Sequence, residues 1–490
     1  MTDTPRSRRL ALSVLCAGML MIILDGSIVT VALPSIQHDL DFTPAGLSWV
    51  VDAYMIAFGG LLLLAGRIGD LIGRKRMFTA GLALFTAASA ACGLAATPAV
   101  LIAARFVQGT GGAMVASVSL GMITNLFPEP GERARAFGAF SFVGAGGASL
   151  GQVLGGTLTQ TLSWNWIFFI NLPIGAAALV IALRVLAPEL GPGLRDGVDV
   201  PGALLVTGGL MLGVYTIVSS PAHGWTSAHA LGFGALAVAL LAGFIVRQTR
   251  AAQPLLPLRV FASRTTTGAN LVQALLLAGL FAFQVLIALY LQNVLHYGPA
   301  QTGLAMLPAA LTIGAVSLFV SARAIARFGE RTTLLSGLAL LAGGVGLLTR
   351  LPSAHADYTT DLLPTMLAVG GFGLAITALT TLAMSDARPE DAGLASGLFN
   401  TTQQVGAAVG VALLTTLAAS RSAALAAAGT APAAALTGGF HLAFAAGAAL
   451  ILAALIAAAA ILRRTPPTTA RTRTIGEDAP TDRHPAHQSA

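Results

Sequence analysis

The chain has 490 residues, of which 55% are apolar and only 10% charged, and its mean hydropathy is +0.80. Soluble domains carry about a quarter charged residues, so this chain cannot cover a globular surface in water. A soluble enzyme, a nucleic-acid-binding domain and a secreted disulfide scaffold are excluded, and the net charge of +7 reads as the basic bias of cytoplasmic loops.

Apolar runs of roughly 20 residues between breakers predict fourteen membrane-spanning helices. In chain order their cores are 10–32, 47–66, 78–97, 99–122, 136–160, 165–187, 200–219, 229–246, 267–291, 301–322, 333–350, 361–384, 394–418 and 438–462. The first run, Leu10 to Leu33, is too long for a signal peptide and is interrupted by Asp25. Cys16 and Cys92 fall near opposite ends of different spans, which argues against a disulfide. Of the 27 basic residues, 24 fall on the N-terminal side of the bilayer, Arg350 and Arg421 on the other, and Arg105 inside a span. An even helix count places both termini on one face, and the charge bias makes that face cytoplasmic. From Arg463 onward the chain is rich in Pro, Thr, Arg and His, the composition of a disordered cytoplasmic tail.

Two short segments recur. GRIGDLIGRKR (Gly66–Arg76) follows the second predicted helix, and ARAIARFGERT (Ala322–Thr332) follows the tenth, pairing Arg67 with Arg323 and Gly73 with Gly329. Pro128-Glu129 and Pro389-Glu390 follow the fourth and twelfth helices, which carry Gly109-x-Gly111 and Gly371-x-Gly373. Both matches are offset by eight helices rather than six. Helices 1–6 and 9–14 therefore read as homologous halves, with helices 7 and 8 inserted between them. The corresponding division is 1–187 for an N-terminal six-helix bundle, 188–266 for the inserted pair, 267–462 for a C-terminal six-helix bundle and 463–490 for the tail. Transporters built from repeated halves bind substrate near the midplane and work by rocking.

Charges within spans are expensive and mark function by default. Three stand out, and at 1.5 Å per residue Asp25 lies ~12 Å, Asp52 ~8 Å and Arg105 ~9 Å below the outer surface. Burial favours the neutral form of a carboxylic acid, and a neighbouring arginine favours its anion. If rocking changes their separation or their access to water, a proton taken up outside is released inside. Asp25 is the expected carrier, Arg105 the group that tunes it, and Asp52 a second candidate. A static ion pair holding helices 1, 2 and 4 is the structural alternative.

Glycines Gly147, Gly151, Gly155 and Gly156 form a small-xxx-small ladder for close helix packing. No phosphate-binding loop accompanies the glycines. The second half has no charged residue in the middle of a span. Asn270, Gln273, Phe281, Gln284, Phe399, Asn400, Gln403 and Gln404 are its candidates for lining a substrate cavity, with hydrogen bonding between helices as the alternative for each polar one. Without a second acidic group such a cavity suits neutral, zwitterionic or singly charged amphipathic compounds better than dications.

Four motifs carry a family resemblance: LDGSIVTVALPSI (Leu24–Ile36), the Gly66–Arg76 turn, Arg105-Phe-Val-Gln108-Gly109-Thr-Gly111, and Trp164-Asn165-Trp166-Ile-Phe168-Phe-Ile-Asn171-Leu-Pro173-Ile-Gly175. Over roughly residues 10–462 the chain resembles the major facilitator superfamily, in particular its fourteen-helix drug:proton antiporters. It departs at Gln152, where the antiporter motif of helix 5 has proline, and at Asn165, where arginine is usual. The resemblance implies an all-α membrane protein with the major-facilitator fold, that is, two six-helix pseudo-repeat bundles plus two inserted helices. It implies proton coupling through Arg105, and a conformational latch of Arg67, Asp70 and Arg74, with Ala326 standing where a second acid would be. The expected protein is a monomeric multi-pass exporter of the inner membrane, moving lipophilic compounds against protons, with no cofactor, metal or nucleic acid. A proton-linked carrier of one metabolite and a non-transporting sensor on the same fold are the alternatives. No nucleophile–base pair points to an enzyme.

Overall fold

A computed structural model describes residues 5–462 apart from 43, 48, 188–192, 194–198, 225, 252–253, 255, 257–260, 262, 354–355 and 386–390. The tail from Arg463 and the Pro389-Glu390 match lie outside the described residues.

Every described element is helical. The first group comprises α1 (Pro5–Asp39), the short α2 (Pro44–Leu47), α3 (Trp49–Ile72), α4 (Arg74–Gly93), α5 (Pro98–Leu126), α6 (Pro130–Thr161), α7 (Trp166–Phe169) and α8 (Asn171–Val185). Then come α9 (Val200–His223) and α10 (Ala228–Arg250), packed on each other. The last group comprises α11 (Arg264–Asn293), α12 (Pro299–Ala315), α13 (Ser321–Leu347), α14 (Leu363–Ala368), α15 (Gly371–Ser385), α16 (Ala392–Ala427) and α17 (Pro432–Ile461). A π-type turn at Val316–Val320 joins α12 to α13, and another at Tyr358–Leu362 leads into α14.

Among the described residues, eleven helical runs are long and apolar enough to cross a bilayer. Two further helices, α4 and α6, have suitable length but are diluted: α4 opens on Arg74, Lys75 and Arg76, and α6 is rich in Gly, Ser, Thr and Gln. One of the eleven, Gln301–Arg350, is 50 residues long and turns midway at Gly329.

The segments expected as loops after the second and tenth helices are shorter than the sequence suggests. Helix α3 runs through the motif to Ile72, and α4 starts at Arg74. Only Gly73 leaves the helical region, at φ 101°, and Gly329 is its counterpart at φ 80°. Without a Cβ, glycine occupies this left-handed region freely. Gly73→Ala and Gly329→Ala are each expected to cost about 1–2 kcal/mol of stability, which thermal unfolding of the purified protein would register.

The two groups repeat the same contacts. A Cβ on Gly151 would lie 2.8 Å from the Leu24 carbonyl and one on Gly155 2.8 Å from that of Ile28, so the glycine ladder of α6 seats on α1. Gly406 of α16 meets the Ala274 carbonyl of α11 at 2.8 Å, and Gly410 meets that of Ala278. Likewise Gly81 and Gly111 bring α4 against α5, as Gly337 and Gly371 bring α13 against α15. This aligns Gly111 with Gly371, two residues out of register with the glycine match read from the sequence. Lys75 donates to the carbonyls of Leu183 and Leu186 at the end of α8, and Arg331, in the corresponding place on α13, donates to Ala459 near the end of α17. Each places a cation at the negative end of a helix.

The pair α9–α10 belongs mainly to α3. Gly60 lies against Met211 and Gly59 against Val214. At one end Trp49 stacks on Tyr215 at 5.8 Å, and Tyr215 hydrogen-bonds His229. At the other end Val206, Phe244 and Leu256 cluster with Leu63 of α3 and with Leu394 of α16.

Candidate functional site

Five helices converge on Asp25. Its helix α1 is apolar on both sides of the acid, so the carboxylate is carried into the bundle and is fully buried. One turn apart on α5, Arg105 and Gln108 share a face, and both are buried as well. Arg105 forms an ion pair with Asp25 through Nη1. The same Nη1 donates to Gln108 Oε1 at 2.7 Å, and Arg105 Nε donates to the Val50 carbonyl at 2.8 Å. The guanidinium lies 4.4 Å from the centre of the Tyr54 ring and 5.8 Å from that of Phe168. Gln108 Nε2 donates to Asp25 Oδ1 at 2.8 Å and to Ser89 of α4 at 2.7 Å. The Cys92 thiol faces Gln108 Oε1 at 3.6 Å. Asn171, the first residue of α8, donates to Asp25 Oδ1 at 3.3 Å.

A buried ion pair survives only when further hydrogen bonds offset the loss of water. Here the supporting set of Gln108, Ser89, Asn171 and the Val50 carbonyl does so. Of these, Gln108 and Asn171 stand in quoted motifs but carry no signal of their own, and Ser89, Tyr54 and Cys92 carry none at all. Asp52 is partly exposed on α3, and the bonds of Arg105 go to Asp25, Gln108 and Val50 instead. By the repeated contacts, the equivalents of Asp25 and Arg105 in the second group are Leu275 and Thr365, and Thr365 spends its hydroxyl on the Gly344 carbonyl. The charged pair therefore has no second copy.

A second charged cluster joins the two groups. Asp70 accepts from Arg74 Nε at 2.9 Å, from the Gly393 N–H at 2.8 Å and from the Leu394 N–H at 2.7 Å. Gly393 and Leu394 are the second and third residues of α16, whose N–H groups have no partner within the helix. Asp70 thus caps a helix 323 residues further along the chain. Glycines permit the approach: a Cβ on Gly66 would lie 2.5 Å from the Gly393 carbonyl, and one on Gly397 would lie 2.7 Å from that of Leu62. Arg67 is half-buried and joins neither the ion pair nor the cap. The equivalent of Asp70 is Ala326, which has no carboxylate to offer the start of α6, and the N-cap residue Glu129 does not cap that helix with its own side chain.

Further contacts across the groups lie toward the same end. Gly121 of α5 abuts Ala392, and Ser396 and Asn400 donate to the Ala116 carbonyl. Gly138 of α6 meets Ser317, and Phe142 meets Gly314. Beyond Phe142, large apolar side chains of α6 such as Leu150 and Val153 are exposed, as are Leu304 and Leu311 of α12.

The cavity candidates divide. Asn270, Gln273, Phe399 and Asn400 are buried, Gln403 and Gln404 half-buried, and Phe281 and Gln284 exposed. Among the described residues, Gln273 has no hydrogen-bond partner for either end of its amide. Of the two sequence departures, Asn165 donates to the Gly93 carbonyl at the end of α4. Helix α6 runs continuously through Gln152, whose side chain lies outside the described set.

The sequence pattern of the Major Facilitator Superfamily matches residues 15–411. Over 409 residues the chain is 40% identical to the puromycin resistance protein pur8 of Streptomyces alboniger, covering 83% of this chain and 81% of that one. Over 411 residues it is 41% identical to the cephamycin export protein CmcT of Amycolatopsis lactamdurans, covering 83% and 84%. The fold is similar to that of the human organic anion transporter MFSD10, with a TM-score of 0.66 at 15% identity over 93% of this chain and 100% of that one.

Proposed function

Because this chain belongs to the major facilitator superfamily and is a multi-pass membrane transporter, we propose that it exports lipophilic organic compounds in exchange for protons by alternating access. The observation that carries the proposal is the buried Asp25–Arg105 pair, which the second half does not repeat. With Asp25 anionic the pair is neutral overall. Protonation leaves Arg105 without its counter-charge in a low-dielectric interior, where unpaired charge is costly. The site then favours an arrangement that gives Arg105 other partners or water. Loss of the proton to the cytoplasm restores the pair, and this cycle drives the rocking. Asp52, partly exposed two residues beyond Val50, lies where a proton would enter.

The export direction rests on the relatives, which are named for resistance and export. We assign fourteen spans, counting α4, α6 and the two arms of the Gly329 turn, with both termini cytoplasmic and the protein a monomer in the inner membrane. Residues 1–187 and 267–462 are the rocking halves, and 188–266 holds the inserted pair. Contacts between the halves then lie at the cytoplasmic end, with Asp70, Arg74 and the start of α16 as their latch and Arg67 as topogenic charge. The arrangement is one closed to the cytoplasm. The exposed Phe281 and Gln284, with Gln403 and Gln404, line the substrate path, whereas Asn270, Gln273, Phe399 and Asn400 come into play only if helices part.

Everted membrane vesicles holding a proton gradient, read by a pH-sensitive dye, test the proposal with neutral, monocationic and dicationic lipophiles. Substrate-dependent collapse of the gradient by neutral or monocationic compounds, absent in Asp25→Asn, is the expected result. No collapse with any compound, or equal collapse in the variant, would contradict it.

A further inference from the structure

We propose that Asn171 is a two-state amide that recognises the protonation of Asp25, donating to the carboxylate and accepting from the carboxylic acid. The proposal rests on Asp25 being the proton carrier and adds the group that makes its neutral form tolerable.

When Asp25 takes up a proton, one of its oxygens becomes an O–H donor, and a buried donor needs an acceptor. The neighbours are almost fully spent. Gln108 uses both amide protons, on Asp25 and Ser89, and its oxygen already receives Arg105 and faces the Cys92 thiol. Arg105 has no acceptor at all. Asn171 differs. Its side chain is fully buried, its nitrogen reaches Asp25 Oδ1 over a long 3.3 Å, and its Oδ1 has no partner among the described residues. Turning the amide over exchanges its nitrogen and oxygen and presents Oδ1 to the new O–H on the same Asp25 oxygen. No covalent step is involved beyond the proton's arrival from outside and its departure inside.

The backbone prepares this position. Pro173 has no N–H for the Phe169 carbonyl, so one helical hydrogen bond is missing between α7 and α8, although Ile170 keeps helical dihedrals. Asn171 sits beside that missing bond, at the first residue of α8. Among the described residues, the charged and titratable groups facing Asp25 are Arg105 on α5, Cys92 on α4 and Tyr54 on α3. Arg105 has no acceptor, the Cys92 sulfur is a weak one already turned to Gln108, and the Tyr54 hydroxyl, which has no hydrogen-bond partner among the described residues, abuts Gly112, two turns beyond Arg105 on α5.

The sign follows from which form loses more. The anion keeps Arg105 and Gln108 when Asn171 is removed, and gives up only its longest bond. The acid loses its acceptor, and a hydrogen bond to the neutral form is what holds the proton. Infrared difference spectroscopy of the full-length protein in lipid discs tests this by titrating the carboxylic-acid carbonyl band that Asp25→Asn abolishes. In Asn171→Leu and Asn171→Ala the midpoint is expected to move down by about one pH unit, a tenfold loss of proton affinity. Asn171→Ser, which keeps a donor and an acceptor, restores it. A merely structural Asn171 would change the amount of folded protein and leave the midpoint in place, and that result overturns the proposal. The wild-type band gives a check that needs no variant, since a frequency characteristic of a carboxylic acid without a hydrogen-bonded O–H also overturns it. If Asp25→Asn abolishes no band, Asp25 is not the carrier and both proposals fall together, whereas an unmoved midpoint removes only the role of Asn171.

Discussion

Asp25→Asn is expected to leave a folded, membrane-inserted protein whose substrate accumulation no longer responds to the pH gradient. Asparagine has the size of the acid but a single acceptor oxygen, so it keeps either the bond from Arg105 or those from Gln108 and Asn171, and its NH2 faces a donor at the other end. It cannot change charge. For one coupled proton, each unit of pH difference across the membrane is worth about 1.4 kcal/mol, or tenfold in the concentration ratio that export sustains. In everted vesicles held at a series of pH differences, wild type is expected to give a ratio rising about tenfold per unit, and the variant a flat line. A slope preserved in Asp25→Asn would place coupling elsewhere, with Asp52 the next acid to replace. The variant should also be less stable. Arg105 loses its counter-charge, and breaking a buried pair from one side costs about 3–5 kcal/mol when nothing compensates. The Val50 carbonyl, the Gln108 oxygen and the Tyr54 ring remain, so the loss should fall below that range.

The second large effect is expected at Asp70. Its two bonds to the start of α16 are charge-assisted and meet the positive end of a helix, and both they and the pair with Arg74 are buried. Removing the carboxylate in Asp70→Ala should destabilise the closed end at Asp70 by about 1–3 kcal/mol relative to an open one. A difference of that size shifts the ratio of the two states about 5- to 150-fold. Distances between spin labels at the Asp70 end of α3 and the start of α16 would lengthen in a matching fraction of molecules. Because the contact is buried, salt should alter it little. Unchanged distances would mean that close packing of Gly66, Gly393 and Gly397 holds the end shut without Asp70.

Much of the fold is legible in the sequence, because hydropathy and breakers mark apolar helices directly and the two glycine turns recur 256 residues apart at Gly73 and Gly329. The pairing of Asp25 with Arg105 is legible too, since charges inside spans are rare enough to seek each other. What surrounds them is not. Ser89, Tyr54 and Cys92 look like ordinary residues of apolar helices and gain meaning only where α1, α3, α4, α5 and α8 cross. The partner of Asp70 is a pair of backbone N–H groups, and a backbone donor has no letter in a sequence. The cavity candidates fail to separate for a related reason. Inside a bilayer a polar side chain turns inward whether it meets a substrate path or another helix, and Asn400, spent on the Ala116 carbonyl, is indistinguishable by pattern from Gln404. The glycines of the fourth and twelfth helices align two residues away from their sequence match because packing against α4 and α13 sets the true register.

The account turns on one exchange, a substrate against the proton of Asp25. Its most direct measurement is the proton count when substrate is added to the purified protein in weakly buffered detergent solution, below the pH at which Asp25 empties. Wild type is expected to release about one proton for each substrate bound, and Asp25→Asn none. Substrate binding without proton release in wild type, or equal release from both proteins, would contradict the account.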